Sequence, residues 1–151
     1  MDTKYRIGFT CGAFDLTHAG HFLMFEECKK YCNYLIVGLQ IDPSIDREDK
    51  HSPVQSTAER MIQLRACKFI DEIITYKTED ELLQLLYKNS KKFDVRFIGA
   101  DWKEKFYTGI EMSIPIIFNS REHEFSSSSL RTRIYEAEKI CHLKKQGETK
   151  I

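Results

Sequence analysis

Gly12-Ala13-Phe14-Asp15-Leu16-Thr17-His18-Ala19-Gly20-His21 is the stretch on which the reading of this chain turns. It follows an apolar, strand-like segment, Tyr5 to Cys11, and leads into a helix-like one, Phe22 to Cys32. Two histidines three apart, with a glycine between them, stand where that helix begins. A helix N-terminus leaves backbone N–H groups unpaired and carries the positive end of the helix dipole, so it is a natural phosphate site. Imidazoles there add donors aimed at the same anion. Blander readings exist for each piece. A lone turn glycine commonly serves only a positive φ, and histidines at i and i+3 can hold a metal. Here no nearby cysteine or carboxylate completes a ligand set. The strand–turn–helix context favours chemistry on a nucleotide phosphate.

Outward from this stretch, strand and helix patterns alternate. Tyr34 to Gln40 is an apolar run short enough for a buried parallel strand. Ile41 to Gln55, with Pro43 and Pro53, reads as a loop. Ser56-Thr57-Ala58-Glu59 has capping-box spacing and opens a helix to about Lys68. Glu72 to Tyr76 reads as a strand, and Thr78-Glu79-Asp80-Glu81 as a second capping box before the helix Leu82 to Lys88. Val95 to Ile98 and Ile114 to Phe118 are further strands. Ser127 or Ser128 caps a last helix to about Lys139, and the chain from about 140 to 151 reads as a polar, frayed tail. This alternation predicts a single α/β domain over 1–151, a parallel sheet with helices on both faces. Ligands of such sheets bind at the carboxyl ends of the strands. The loops after the strands at Tyr5, Val95 and Ile114 are therefore where a site should assemble.

Composition narrows the function. The chain has 151 residues, enough for one domain with a real core. Its 23 Lys and Arg balance 23 Asp and Glu, so it lacks the basic excess expected of a nucleic-acid binder. No apolar run reaches the length of a membrane span, and Met1-Asp2-Thr3-Lys4 lacks the apolar core of a signal peptide. Five cysteines, an odd number, argue against a disulfide framework, and Cys28 and Cys32 lack the second ligand pair of a zinc site. A cytoplasmic enzyme is the simplest expectation.

His18-Ala19-Gly20-His21 matches the HxGH signature of the nucleotidyltransferases, and Gly12 to His21 resembles the longer form typical of cytidylyltransferases. The resemblance runs from about Arg6 to Ile134 and is nearest to the glycerol-3-phosphate cytidylyltransferase group. It implies a Rossmann-like fold and a reaction in which a phosphate monoester oxygen attacks the α-phosphorus of CTP and pyrophosphate leaves. The nucleophile is already an anion, so catalysis is mostly positioning and charge stabilisation.

The resemblance assigns His21 to the α-phosphate and transition state, and His18 to the triphosphate beside it. It adds Lys50 and Arg121 as catalytic cations, Arg121 matching the arginine of an R-T-E-G segment. Nucleotide contacts are implied along Thr10, Cys11, Gly12, Ala13, Phe14 and Gly20. Arg60, in Ala58-Glu59-Arg60, is carried over as a contact for the acceptor phosphate or triphosphate. Gly99-Ala100-Asp101-Trp102 resembles G-D-D-W with Ala100 in place of the first aspartate; Gly99, Asp101 and Trp102 are retained. Ser126-Ser127-Ser128-Ser129-Leu130-Arg131 resembles I-S-T-T-x-I-K, which places Ser126, Ser127, Ser128 and Arg131 at the phosphates. Glu122-His123-Glu124 departs from T-E-G, and Glu124 adds a negative charge unless the loop turns it outward. Magnesium is expected with the triphosphate and needs no protein metal ligands in the sequence; Asp15 is an indirect participant or a loop brace. The implied partners are CTP, a small phosphorylated alcohol and a second copy of the chain in a homodimer. Phosphoethanolamine or phosphocholine as acceptor, adenylyl transfer, and nucleotide binding without turnover are the alternative readings.

Overall fold

The computed structural model describes residues 5–148. The reading of Met1 to Lys4, and the last three residues of the expected tail, lie outside the described residues. Five strands form one parallel sheet: β1 (Tyr5–Gly12), β2 (Cys32–Gln40), β3 (Glu72–Tyr76), β4 (Val95–Ile98) and β5 (Ile116–Phe118). Their order is β3-β2-β1-β4-β5, and every pairing is parallel. The chain runs outward from β1 to β3, then returns to the other side of β1. The switch point therefore falls between β1 and β4, where open α/β sheets bind ligands.

Alternation along the strands explains why helices cover both faces. Leu35, Val37, Leu39, Val95 and Phe97 pack in one cluster with Phe25 and Cys28 of α1 (Ala19–Tyr31) and Leu64 of α2 (Thr57–Arg65). Phe9 and Ile36, on the opposite face, pack with Leu82 and Leu86 of α3 (Glu79–Lys88). Side chains 0–2% exposed in both clusters make this a dry core.

β3 and β4 have the boundaries expected from the sequence, and Ser56 and Thr78 cap α2 and α3 by accepting from the N–H of Glu59 and Glu81. Three ends differ. α1 begins at Ala19, three residues before its first apolar position, because His18 itself serves as the cap. β5 begins at Ile116, because Pro115 has no N–H for the ladder; only its carbonyl accepts, from the N–H of Arg96. α4 (Ser127–Glu148) is capped by Ser126, which accepts from the N–H of Ser129. It continues past Lys139 through the segment expected as a tail. That segment is rich in good helix formers and lacks a breaker before Gly147, so polarity leaves it exposed but not uncoiled.

Candidate active site

The loop after β1 is tied down by its own residues. Asp15, 6% exposed, accepts from the N–H groups of Val54 at 2.8 Å and Gln55 at 2.9 Å, and from Nη2 of Arg131 at 2.7 Å. The N–H of Leu16 donates to Oε1 of Gln55 at 2.8 Å, and Oγ1 of Thr17 to Gln63 at 3.1 Å. Phe14 and Leu16 sit at φ 49° and 51°. Left-handed backbone in bulky residues is costly and survives only where surroundings over-determine it, as at functional sites. Two such residues flanking a fully bonded aspartate make this loop rigid.

That rigidity delivers the histidine pair. Nδ1 of His18 accepts from the N–H of Gly20 at 3.0 Å, and Nδ1 of His21 accepts from the N–H of His18 at 3.2 Å. The two imidazoles thus form a reciprocal capping box on α1. A backbone N–H can only donate, so both Nδ1 atoms are unprotonated and each neutral ring carries its proton on Nε2. For His18 that Nε2–H donates to Oγ of Ser127 at 3.2 Å, linking the N-termini of α1 and α4. The ring centroids are 4.0 Å apart. Burial first, then the neighbouring His18, holds His21 down to a pKa of about 4; partial burial lowers His18 too, helped by His123, Arg133 and Arg121. Both rings are neutral hydrogen-bond donors at neutral pH.

Gly20 is what lets the rings pack here. A Cβ at this position would lie 2.8 Å from Cε1 of His18 and 2.8 Å from Cε1 of His123. His123 is a third imidazole that the sequence reading missed. Its Nδ1 accepts from the N–H of Phe125 at 3.1 Å, which again leaves the proton on Nε2. The available signal was a histidine two residues after Arg121, in the loop leading to the serine run.

These groups face a cavity of about 670 Å³, which the N-termini of α1 and α4 share. His18, Gly20, His21, Lys50 and Arg121 line it, with Gly99, Asp101 and Ser126, Ser127 and Ser128 on its other walls. Arg121, at φ 48°, pairs with Asp101 at 2.7 Å. Glu124 is exposed and does not line the cavity. A second cavity of about 340 Å³ abuts the first across Met24, Lys50 and Gly99 and opens at the carboxyl ends of β1, β2 and β4. Thr10, Cys11, Gly12, Ala13 and Trp102 line this one. Oγ1 of Thr10 is turned into the sheet, donating to the carbonyl of Phe97 at 3.2 Å, and burial pushes the Cys11 thiol up, away from reactivity. A third hollow, about 260 Å³, brings Phe14, His21, Lys50, Ser127 and Arg131 together. Phe14 is buried and stands edge-on to His21 at 5.7 Å, packing behind the ring.

One expectation is corrected, and a second residue proves to have a further partner. Arg60 is 1% exposed and lines none of the three cavities. Its Nε donates to the carbonyl of Gln55 at 3.2 Å; its Nη1 to those of Ala13 and Gln40 at 2.9 and 2.7 Å; its Nη2 to that of Ile41 at 2.6 Å and to Oγ1 of Thr57 at 3.4 Å. All five N–H donors are taken. Arg60 is a buried clamp joining the β1 loop, the end of β2 and the start of α2. Arg131 is committed to Asp15, so its charge braces the loop while one edge still reaches the third hollow.

Fold and site together define a class: a Rossmann-like nucleotidyltransferase of the HxGH kind. The family model described as cytidylyltransferase-like matches residues 9–133, and the chain belongs to that family. It is 34% identical over 130 residues to a bifunctional protein HldE of Campylobacter jejuni, covering 85% of this chain and 28% of that protein. It is 41% identical over 73 residues to a protein described as a probable ethanolamine-phosphate cytidylyltransferase of Encephalitozoon cuniculi, covering 48% of this chain and 23% of that one. The chain thus spans about a quarter of the length of these curated relatives. A lipopolysaccharide core biosynthesis protein of Thermoplasma volcanium shares the fold, with a TM-score of 0.63 and 21% identity over 78% of this chain and 98% of that one. Among the described residues, no helix is long and apolar enough to cross a membrane.

Proposed function

We propose that the protein transfers a cytidylyl group from CTP to glycerol-3-phosphate, giving CDP-glycerol and pyrophosphate. The observation that supports this best is the reciprocal capping of His18 and His21, which leaves the Nε2–H of His21 as a neutral donor and gives that of His18 to Ser127, beside two helix N-termini in one cavity. An acceptor phosphate oxygen attacks the α-phosphorus of CTP, the new P–O bond forms as the bond to the β-phosphate oxygen breaks, and pyrophosphate leaves. His21 donates to the α-phosphate, whose oxygens gain charge in the transition state. His18 acts on the triphosphate through Ser127: its Nε2–H is given to Oγ of Ser127, whose own hydroxyl proton is free to be donated to the triphosphate with the rest of the serine run. In this reading Lys50, which lines all three cavities, bridges nucleotide and acceptor, and Arg121 meets the leaving phosphates. The imidazoles need not shuttle protons, because the monoester is already anionic.

Magnesium belongs to this reading. The first cavity is lined by four carboxylates (Glu26, Glu27, Asp101, Glu122) against three cations (Lys30, Lys50, Arg121). A triphosphate therefore meets net negative charge, which a divalent ion would offset when bound with it. Exposed carboxylates such as Glu122 suit an ion held with few protein ligands. The homodimer implied by resemblance is part of the proposal too, supported by Ile134, Tyr135, Ile140 and Leu143, which leave α4 with exposed apolar side chains.

The Encephalitozoon relative favours a second reading, phosphoethanolamine as acceptor. Phosphorus NMR of the reaction with CTP, magnesium and either acceptor separates the two. The proposal expects the diphosphate signals of CDP-glycerol and free pyrophosphate; CDP-ethanolamine alone, or product only when ATP replaces CTP, would overturn it.

A further inference from the structure

The second cavity carries a charge pattern of its own. Arg96 stands on β4 facing α3, 5% exposed, in a strand whose other residues are Val, Phe and Ile. Among the described residues no carboxylate lies within ion-pairing distance of it, and its buried Nε has no hydrogen-bond partner. Its Nη1 donates to the carbonyl of Thr108, and the side chain of Cys11 lies within hydrogen-bonding reach of the guanidinium.

The groups that could hold an ammonium in this cavity are already occupied. Arg47 lies over the ring of Trp102, 5.0 Å from its centroid, and Arg96 lies 5.4 Å from that of Tyr107. The carboxylate of Glu79 is held by Arg47 at 3.9 Å, Gln40 at 3.5 Å and the hydroxyl of Thr108 at 2.7 Å. Three lining cations, Arg47, Lys50 and Arg96, stand against the single carboxylate of Glu79. An ammonium entering here meets net positive charge and aromatic faces already covered by guanidinium groups.

Taking the transferase reading above as given, we propose that Arg47 and Arg96 set acceptor specificity: by occupying Trp102, Tyr107 and Glu79 they restrict the second cavity to hydroxyl-bearing phosphate esters without an ammonium group. Polyol hydroxyls pair with the side chains of Gln40 and Thr108, and the ester's phosphate lies toward Lys50, on the side of the nucleotide cavity.

Calorimetric titration of the unaltered protein, without nucleotide, with glycerol-3-phosphate and with phosphocholine reads the preference between a hydroxyl-bearing and an ammonium-bearing tail, because both ligands carry the same phosphate. The expected result is saturable binding of glycerol-3-phosphate and at least about tenfold weaker binding of phosphocholine. Equal or tighter binding of phosphocholine, or binding of neither, overturns the proposal. Arg47→Ala, at a partly exposed position outside the core, frees Trp102 and Glu79. It should narrow the preference about tenfold toward phosphocholine, and an unchanged ratio overturns the role of Arg47. If glycerol-3-phosphate binds selectively but CTP gives no product with it, the transferase reading fails while the cavity's selectivity stands.

Discussion

Replacing Arg60 by methionine should unfold the protein more easily without weakening its hold on the nucleotide. The side chain donates five hydrogen bonds, four of them to the backbone carbonyls of Ala13, Gln40, Ile41 and Gln55. At about 1 kcal/mol net each, these sum to about 5 kcal/mol. Methionine recovers about 1–2 kcal/mol by burying apolar surface and by sparing the fold a desolvated charge. The expected loss is about 3–4 kcal/mol, which in a domain of this size lowers the melting midpoint by about 10 °C. Arg60→Lys, which keeps the charge but offers three donors to the same carbonyls, should fall between. Calorimetric melting of both variants, with the KM for CTP measured well below their midpoints, checks this. A melting midpoint unchanged in Arg60→Met together with a large rise in KM would refute the clamp and return Arg60 to the phosphates.

Other expectations follow from the same geometry. His21→Gln should flatten the dependence of stability on pH. The folded His21 stays neutral to about pH 4 whereas the unfolded one protonates near 6.5. The unfolded state therefore takes up the proton first, and stability is lost as pH falls from 6.5 toward 4, by up to about 3 kcal/mol; melting midpoints across that window read the slope. Gly20→Ala places a methyl 2.8 Å from the carbons of two imidazoles, so turnover should fall at least about tenfold while far-UV circular dichroism stays that of the unaltered protein. Asp15→Ala frees Arg131 and the N–H groups of Val54 and Gln55. Limited proteolysis should then cut the 46–55 loop faster, and the KM for CTP should rise as Lys50 loses its fixed position.

The sheet was readable in advance because its strands are short apolar runs bounded by caps and prolines, signals that depend only on neighbours in sequence. Element ends were less so. His18 caps α1 with an imidazole in place of the usual hydroxyl or carboxylate, and α4 persists because its polar residues are nonetheless helix formers. The histidine pair was legible as a motif, but its tautomers were not, since they follow from which backbone N–H each ring meets. Arg60, Arg131 and Arg96 show where sequence falls short. An arginine's spacing does not reveal what its donors meet: here Arg60 meets mainly backbone carbonyls, Arg131 a carboxylate, and Arg96 one carbonyl and an aromatic face with its Nε left without a partner. His123 escaped notice because its neighbour, Gly20, lies 103 positions away in the chain and touches it only in the fold.

The central claim is that nucleotidyl transfer occurs in the cavity where His18 and His21 cap α1. Pyrophosphate release from CTP and glycerol-3-phosphate with magnesium, measured for the unaltered protein and for His21→Ala, tests it most directly. The account predicts steady release by the unaltered protein and a fall of about 100- to 1,000-fold in the variant. A His21→Ala protein that releases pyrophosphate at the unaltered rate would contradict it.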